Sequence, residues 1–164
     1  MSRDNGRTGP VADDYTIRGR DDEMIYLRGR LLGFASSHRE VHDHAVTYDA
    51  EGRPLSFAAP RERCSACRWF EVRLFDVEHE ASADGEPVDR RARYLILTSG
   101  MSVVPGEVEM RRASWTDSGY EVVELLTQRR GERPFLPAPS ARVLAQASAW
   151  NDDIRDAYVD RAVI

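Results

Sequence analysis

The chain is expected to fold as an α+β domain, an antiparallel sheet of four to six strands with a C-terminal helical segment. Three observations predict it. Short runs in which apolar and polar side chains alternate recur through about residue 127. Clusters of Gly, Pro, Asp and Ser separate those runs as turns would. Beyond residue 140 the apolar residues recur at intervals of three and four, which is the period of a helix.

Residues 1–14 are polar, contain Gly and Pro, and hold almost no large apolar side chain, so they read as a disordered tail before a single domain over 15–164. Residues 24–36 are the first predicted strand, because Ile25, Leu27, Gly29 and Leu31 alternate with Tyr26, Arg28 and Arg30. An extended run over 40–48 would place His42, His44, Val46 and Tyr48 on one face. The turn-like Asp49-Ala50-Glu51-Gly52 then allows Leu55, Ser56 and Phe57 to return as the second arm of a hairpin. The clearest strand is 69–77, with Phe70, Val72 and Leu74 on one side and Trp69, Glu71, Arg73 and Phe75 on the other.

A polar loop over 80–91 leads into a strand at Tyr94-Leu95-Ile96-Leu97. Residues 107–115 and 120–127 flank Asp117-Ser118-Gly119, which predicts a hairpin, with a helix beginning at Tyr120 as the alternative. Pro134, Pro137 and Pro139 predict an extended linker, after which Ser140 stands where a helix cap would. Val143, Ala147, Trp150, Ile154 and Ala157 then share one stripe, flanked by Leu144 and Tyr158, on one helix or on two broken near Asn151. That stripe would serve a homodimer as readily as the domain's own core.

All 23 basic residues are arginine. The absence of lysine fits a GC-rich genome, and it removes a Walker A loop, a Schiff base and a lysine general base from consideration. The net charge of −5 argues against a general affinity for polyanions. Arginines nevertheless cluster at Arg61, Arg63 and Arg68, at Arg90, Arg91 and Arg93, and at Arg129, Arg130 and Arg133. Acids such as Glu62, Asp89 and Glu132 interleave with them, which reads as a salt-bridged surface. Two closely spaced cysteines and the lack of an apolar leader predict a reducing, cytoplasmic setting without a membrane partner.

Cys64-Ser65-Ala66-Cys67 is the most specific local motif. Two thiolates at that spacing close on one tetrahedral zinc, and histidine must then supply the remaining two ligands. His42 and His44, two apart on an extended run and about twenty residues before the cysteines, complete a candidate Cys2His2 site. Redox chemistry is disfavoured, because the motif precedes a strand rather than opening a helix. His42-Asp43-His44 also has the His-x-His form of a cupin metal motif. The match is incomplete: Ser36 stands where a Gly is needed, the carboxylate arrives only at Asp49, and no His follows His79. Gly100-Met101-Ser102 likewise lacks the second Gly and the downstream His of a hydrolase elbow.

Every catalytic template is therefore missing parts, and the residues point to a small non-enzymatic binding or accessory protein with a structural zinc and a protein partner. Two other readings have distinct signatures. A metal-dependent enzyme using His42 and His44 requires an open coordination position with Asp43 or Asp49 nearby. A nucleic-acid-binding protein requires the arginine clusters to converge on one face. Trp69, Trp115 and Trp150 are expected in the core, and one left exposed would mark a binding surface.

Overall fold

The computed structural model describes residues 9–37, 47–48, 54–56, 68–102 and 106–162. In chain order the elements begin with β1 (Asp13–Arg18), a single 3-10 turn (Arg20–Asp22), β2 (Met24–Ser36), β3 (Thr47–Tyr48), β4 (Pro54–Ser56), β5 (Arg68–Ala81) and β6 (Pro87–Val88). They continue with β7 (Tyr94–Ser102), β8 (Met110–Thr116), α1 (Gly119–Leu126), β9 (Gln128–Arg130), β10 (Arg133–Phe135), α2 (Ala138–Ser148) and α3 (Asp152–Ala162). The architecture is α+β. One antiparallel sheet runs in the order β1-β2-β5-β7-β8, and β6 pairs with the end of β5. The ribbons β3-β4 and β9-β10 stand apart from it.

Both faces of this sheet carry buried apolar side chains, as the alternation along β5 and β7 requires. On the outer face Leu32, Val72, Leu74, Tyr94 and Ile96 pack against Val122, Val123 and Leu126 of α1, Val143, Leu144 and Ala147 of α2, and Ile154 of α3. On the inner face Tyr15, Ile17, Ile25, Leu27, Phe75, Val77, Leu95 and Leu97 form a second cluster, with Trp115 packed against it. The sheet bends towards this inner cluster. Arg91 shows the bend: it reaches Glu23 at 3.5 Å beside the start of β2, Glu80 at 2.8 Å on β5, and the Trp115 ring of β8 at 4.4 Å. In a flat sheet β2 and β8 would lie three strand spacings apart, about 14 Å, beyond the span of one guanidinium.

Helix α2 also covers the part of β2 that extends past β1. The Phe34 N–H donates to Gln146 Oε1 at 2.8 Å, and the Arg142 guanidinium donates to the Ser36 carbonyl at 2.7 Å. Side chains of the helix thus occupy backbone groups that an open edge would leave for another strand.

Several elements differ from the sequence reading. Strand β1 lies ahead of the predicted start at residue 24, because its only alternation signal is Tyr15 and Ile17. The hairpin expected over 107–127 is instead strand β8 followed by helix α1. Ser118 accepts the Glu121 N–H at 3.1 Å, and Val122, Val123 and Leu126 are buried at helical spacing. The Ser-x-x-Glu spacing of Ser118 and Glu121 is the sequence signal for that helix start. Ser140 does not cap α2. It is buried in the first turn, and Pro137 occupies the cap position with Pro139 just inside, where a missing N–H costs nothing. Pro134 belongs to β10 rather than to a linker. The C-terminal stripe is divided between α2 and α3 at Asn151, and Trp150, at 42% exposure, leaves the core.

Candidate functional site

The end of the sheet formed by Ser36, Arg68, Ser102 and Met110 gathers the residues that packing alone does not explain. On the outer face Phe70, Gly100 and Met110 are directly opposite one another across β5, β7 and β8. They continue the row of Val72, Leu74 and Ile96, but α2 stops short of them. Phe70 is 67% exposed, Met110 78% and Val108 84%. An aromatic ring this open on a central strand is unusual, and exposed apolar clusters mark interaction sites. Gly100 leaves a notch between the two side chains: a Cβ added there would come no closer than 3.7 Å to Met110 Cβ or to the Phe70 ring. An ion pair borders the row. The Arg68 Nε–H reaches the two oxygens of Glu107 at 3.1 and 2.9 Å, and the Ser102 hydroxyl donates to the same carboxylate at 2.6 Å. Hydrogen bonds from Arg68 and Ser102 hold the Glu107 carboxyl down at about 2.

The inner face at this end is polar and buried. Glu71 is 1% exposed, Ser99 2% and Arg73 6%. Glu71 Oε1 accepts the Trp69 indole N–H at 3.1 Å, while Glu71 Oε2 is buried without a hydrogen-bond partner among the described residues. Burial pushes the Glu71 carboxyl above the usual range. The Trp69 hydrogen bond and the charges of Arg73 and Arg111 oppose that rise, and Glu109 adds to it. The alternation along β5 places Glu71 and Arg73 on this face, but their near-complete burial is a tertiary outcome.

A raised native pKa means that the fold favours the protonated carboxyl. Its stabilising contribution is complete below the unfolded value of 4.5 and is lost as pH rises through the higher native value. Glu71→Gln keeps an acceptor for Trp69 and removes the charge. The variant is expected to melt above the wild type at pH 8 and with it at pH 4, in calorimetric scans. An equal or lower melting temperature at pH 8 would show the ionised carboxylate to be stabilising.

The predicted zinc ligands His42, His44, Cys64 and Cys67 lie outside the described residues, as do Asp43, Asp49, Arg61 and Arg63. The anchors of that stretch are defined. The Ser37 N–H donates to the Phe70 carbonyl at 2.9 Å, and the Phe70 N–H donates to Ser37 Oγ at 2.8 Å. The chain therefore leaves and re-enters the sheet at one place, beside Phe70. Among the described residues no group of three His, Cys, Asp or Glu could hold a metal ion.

Arg68 and the Arg91–Arg93 cluster lie at opposite ends of the sheet. Arg68 stands at the Ser102 end of β7, whereas Arg93 directly precedes Tyr94, its other end. These ends are about 26 Å apart at the rise of a strand. Arg68 is matched by Glu107, Arg91 by Glu80 and Glu23, and Arg93 by Asp76 at 3.5 Å. The Glu80 carboxyl is desolvated, which alone would raise it, but the contacts from Arg91 bring it below its ordinary value. Arg129, Arg130 and Arg133, exposed on the β9-β10 ribbon, differ in making no ion pair among the described residues.

Ser102 lies within strand β7 rather than on an elbow. Trp69 is buried, and Trp115 packs on the inner core. Trp150 lines a concavity of about 530 Å³ together with the 9–12 stretch, Arg28, Arg30, Leu32 and Asp76. A Cβ on Gly9 would lie 2.9 Å from the Trp150 ring, so the chain ahead of β1 packs on that ring. Arg28 and Arg30 there face Asp14 and Glu78. Among the described residues no helix is long and apolar enough to cross a membrane. No known family, curated protein or solved structure matches the chain.

Proposed function

We propose that the chain is a small non-enzymatic binding protein that receives an extended apolar segment of a partner protein at the Phe70–Gly100–Met110 row. The observation that carries this reading is the exposure of Phe70, Val108 and Met110 at the end of the sheet where β8 is the terminal strand. An added strand pairs its backbone with such an edge, and alternate side chains fall onto the same face as Met110. One of them would enter the notch over Gly100.

The proposal includes a structural zinc held by Cys64, Cys67, His42 and His44. Two facts support it. Cys67 directly precedes Arg68, and His42 follows Ser37 by five residues, so both ligand pairs start from one anchored point of the sheet. A metal there would brace the stretch that departs beside the binding row, and closing such a stretch is one way a structural zinc adds stability.

The test uses peptides selected from a random library against the wild type. Selected peptides are expected to be apolar and extended, to shift amide resonances of β8, and to bind Phe70→Ala and Gly100→Val at least tenfold more weakly. A tenfold loss corresponds to about 1.4 kcal/mol, within the range for truncating a central aromatic contact. Peptides that bind both variants normally would place the binding surface elsewhere. Metal content is measured in parallel on tag-free protein. One zinc per chain, lost in Cys64→Ser with a fall in melting temperature, is expected, and protein without zinc would remove the brace.

A further inference from the structure

We propose that the β9-β10 hairpin is a second, independent binding element, a basic finger for the phosphodiester backbone of nucleic acid. The placement of three arginines carries this assignment. Arg130 and Arg133 are directly opposite one another in the antiparallel register, and Gln128 pairs with Phe135 on the same face of the ribbon. Arg129, paired with Pro134, points to the other face. All three arginines are exposed. None of them makes an ion pair among the described residues, although most of the other described arginines do.

Like charges directly opposite in a ribbon repel, which weakens a hairpin only three residues long on each side. Among the described residues no carboxylate forms an ion pair with either guanidinium, Glu132 of the turn included, and an anion between the two would offset the repulsion. Each guanidinium presents a planar fork of donors that matches two oxygens of a phosphate. The Arg130 guanidinium lies over the Phe135 ring at 5.2 Å, a contact that holds it on this face. Gly131, at φ +64°, takes the first central position of the turn and makes the tight reversal that brings Arg130 opposite Arg133. The partly exposed Phe135 ring on the same face adds an apolar surface on which a base can rest. That pairing of phosphate forks with an aromatic ring favours nucleic acid over an acidic protein surface. The net charge of −5 and the placement of Arg68 and Arg93 at opposite ends of β7 confine the attraction to this element, so it is a local contact and not the converged face that a dedicated nucleic-acid-binding protein would need.

The experiment is fluorescence anisotropy on the full chain with a labelled oligothymidylate and a labelled mixed-sequence duplex. Two phosphate contacts, from the Arg130 and Arg133 guanidiniums on one face, predict that affinity falls roughly 7-fold for the single strand, or roughly 12-fold for the duplex, between about 50 and 200 mM NaCl. The triple variant Arg129→Ala, Arg130→Ala, Arg133→Ala is expected to lose this binding while keeping its circular dichroism and melting temperature. The triple Arg→Lys variant is expected to keep the salt slope at weaker affinity, because the charge remains and the fork is lost. Phe70→Ala is expected to bind like the wild type, which separates this element from the apolar row. The proposal is overturned if neither oligonucleotide binds at low salt or if the triple Ala variant binds as well. It is likewise overturned if the hairpin binds polyglutamate or anionic vesicles in their place.

Discussion

Asn151→Ala is expected to lower the stability of the fold by about 2–3 kcal/mol, because it removes two unrelated functions of one side chain. Asn151 stands at the break between α2 and α3. Its Oδ1 accepts the Ile154 N–H at 3.0 Å and caps α3, while its Nδ2 donates to the Tyr94 hydroxyl at 3.1 Å. Tyr94 has one proton to give, and Asp153 Oδ2 at 3.0 Å is the charged acceptor for it. The three side chains then satisfy one another without a conflict of donors. Burial pushes the Tyr94 hydroxyl up to about 12, so it stays protonated throughout the physiological range. Losing the cap removes about 1 kcal/mol, and leaving the buried hydroxyl short of a donor removes a similar amount or more. A chain of this length should then melt about 4–12 °C lower. Tyr94→Phe combined with Asn151→Ala should cost less than the sum of the two, since each removes the same hydrogen bond. Strict additivity in urea titrations would show that the two residues act separately.

Gly119→Ala is expected to be as damaging, about 3 kcal/mol, for a steric reason. The first residue of α1 lies against the backbone of α3. An added Cβ would meet the Asp153 carbonyl oxygen at 2.6 Å, its carbon at 2.7 Å and the Ile154 nitrogen at 2.8 Å. None of these atoms belongs to a flexible side chain, so α1 and α3 must separate. That motion would also stretch the bond from the Gly119 N–H to Asp153 Oδ2, now 2.8 Å. Gly100→Ala is the control, because its new methyl group meets only ordinary contact distances. Thermal melts should place Gly119→Ala well below the wild type and Gly100→Ala close to it. Similar melting temperatures for all three would mean that α1 and α3 can shift apart at little cost.

The alternation in 24–36, in 69–77 and in 94–97 was enough to identify β2, β5 and β7, because side chains two apart in a strand must share a face. The three- and four-residue spacing of Val143, Ala147, Trp150, Ile154 and Ala157 identified the helical C-terminus in the same way. These are local periodicities that any packing would have to respect. Strand β1 was missed because two alternating apolar residues are too short a signal. Val122, Val123 and Leu126 have helical spacing, and the capping pair Ser118 and Glu121 is the local signal that favours α1 over the strand expected there.

The candidate binding features follow a different rule. Phe70 has the same alternation as Val72 and Leu74, and nothing in the string of residues says that α2 ends before reaching it. Glu71 and Arg73 look like ordinary surface charges on an alternating strand. Their near-complete burial is a property of the folded chain that the alternation does not announce. Three arginine clusters look alike in the sequence, and only the fold shows that Arg68, Arg91 and Arg93 reach carboxylates while Arg130 and Arg133, opposite one another, make no ion pair among the described residues. Local periodicity was enough to place β2, β5, β7 and the helical C-terminus and to say which of their side chains share a face. Where each face ends, and which charges find partners, depends on contacts between distant segments, and that was decided by the tertiary structure.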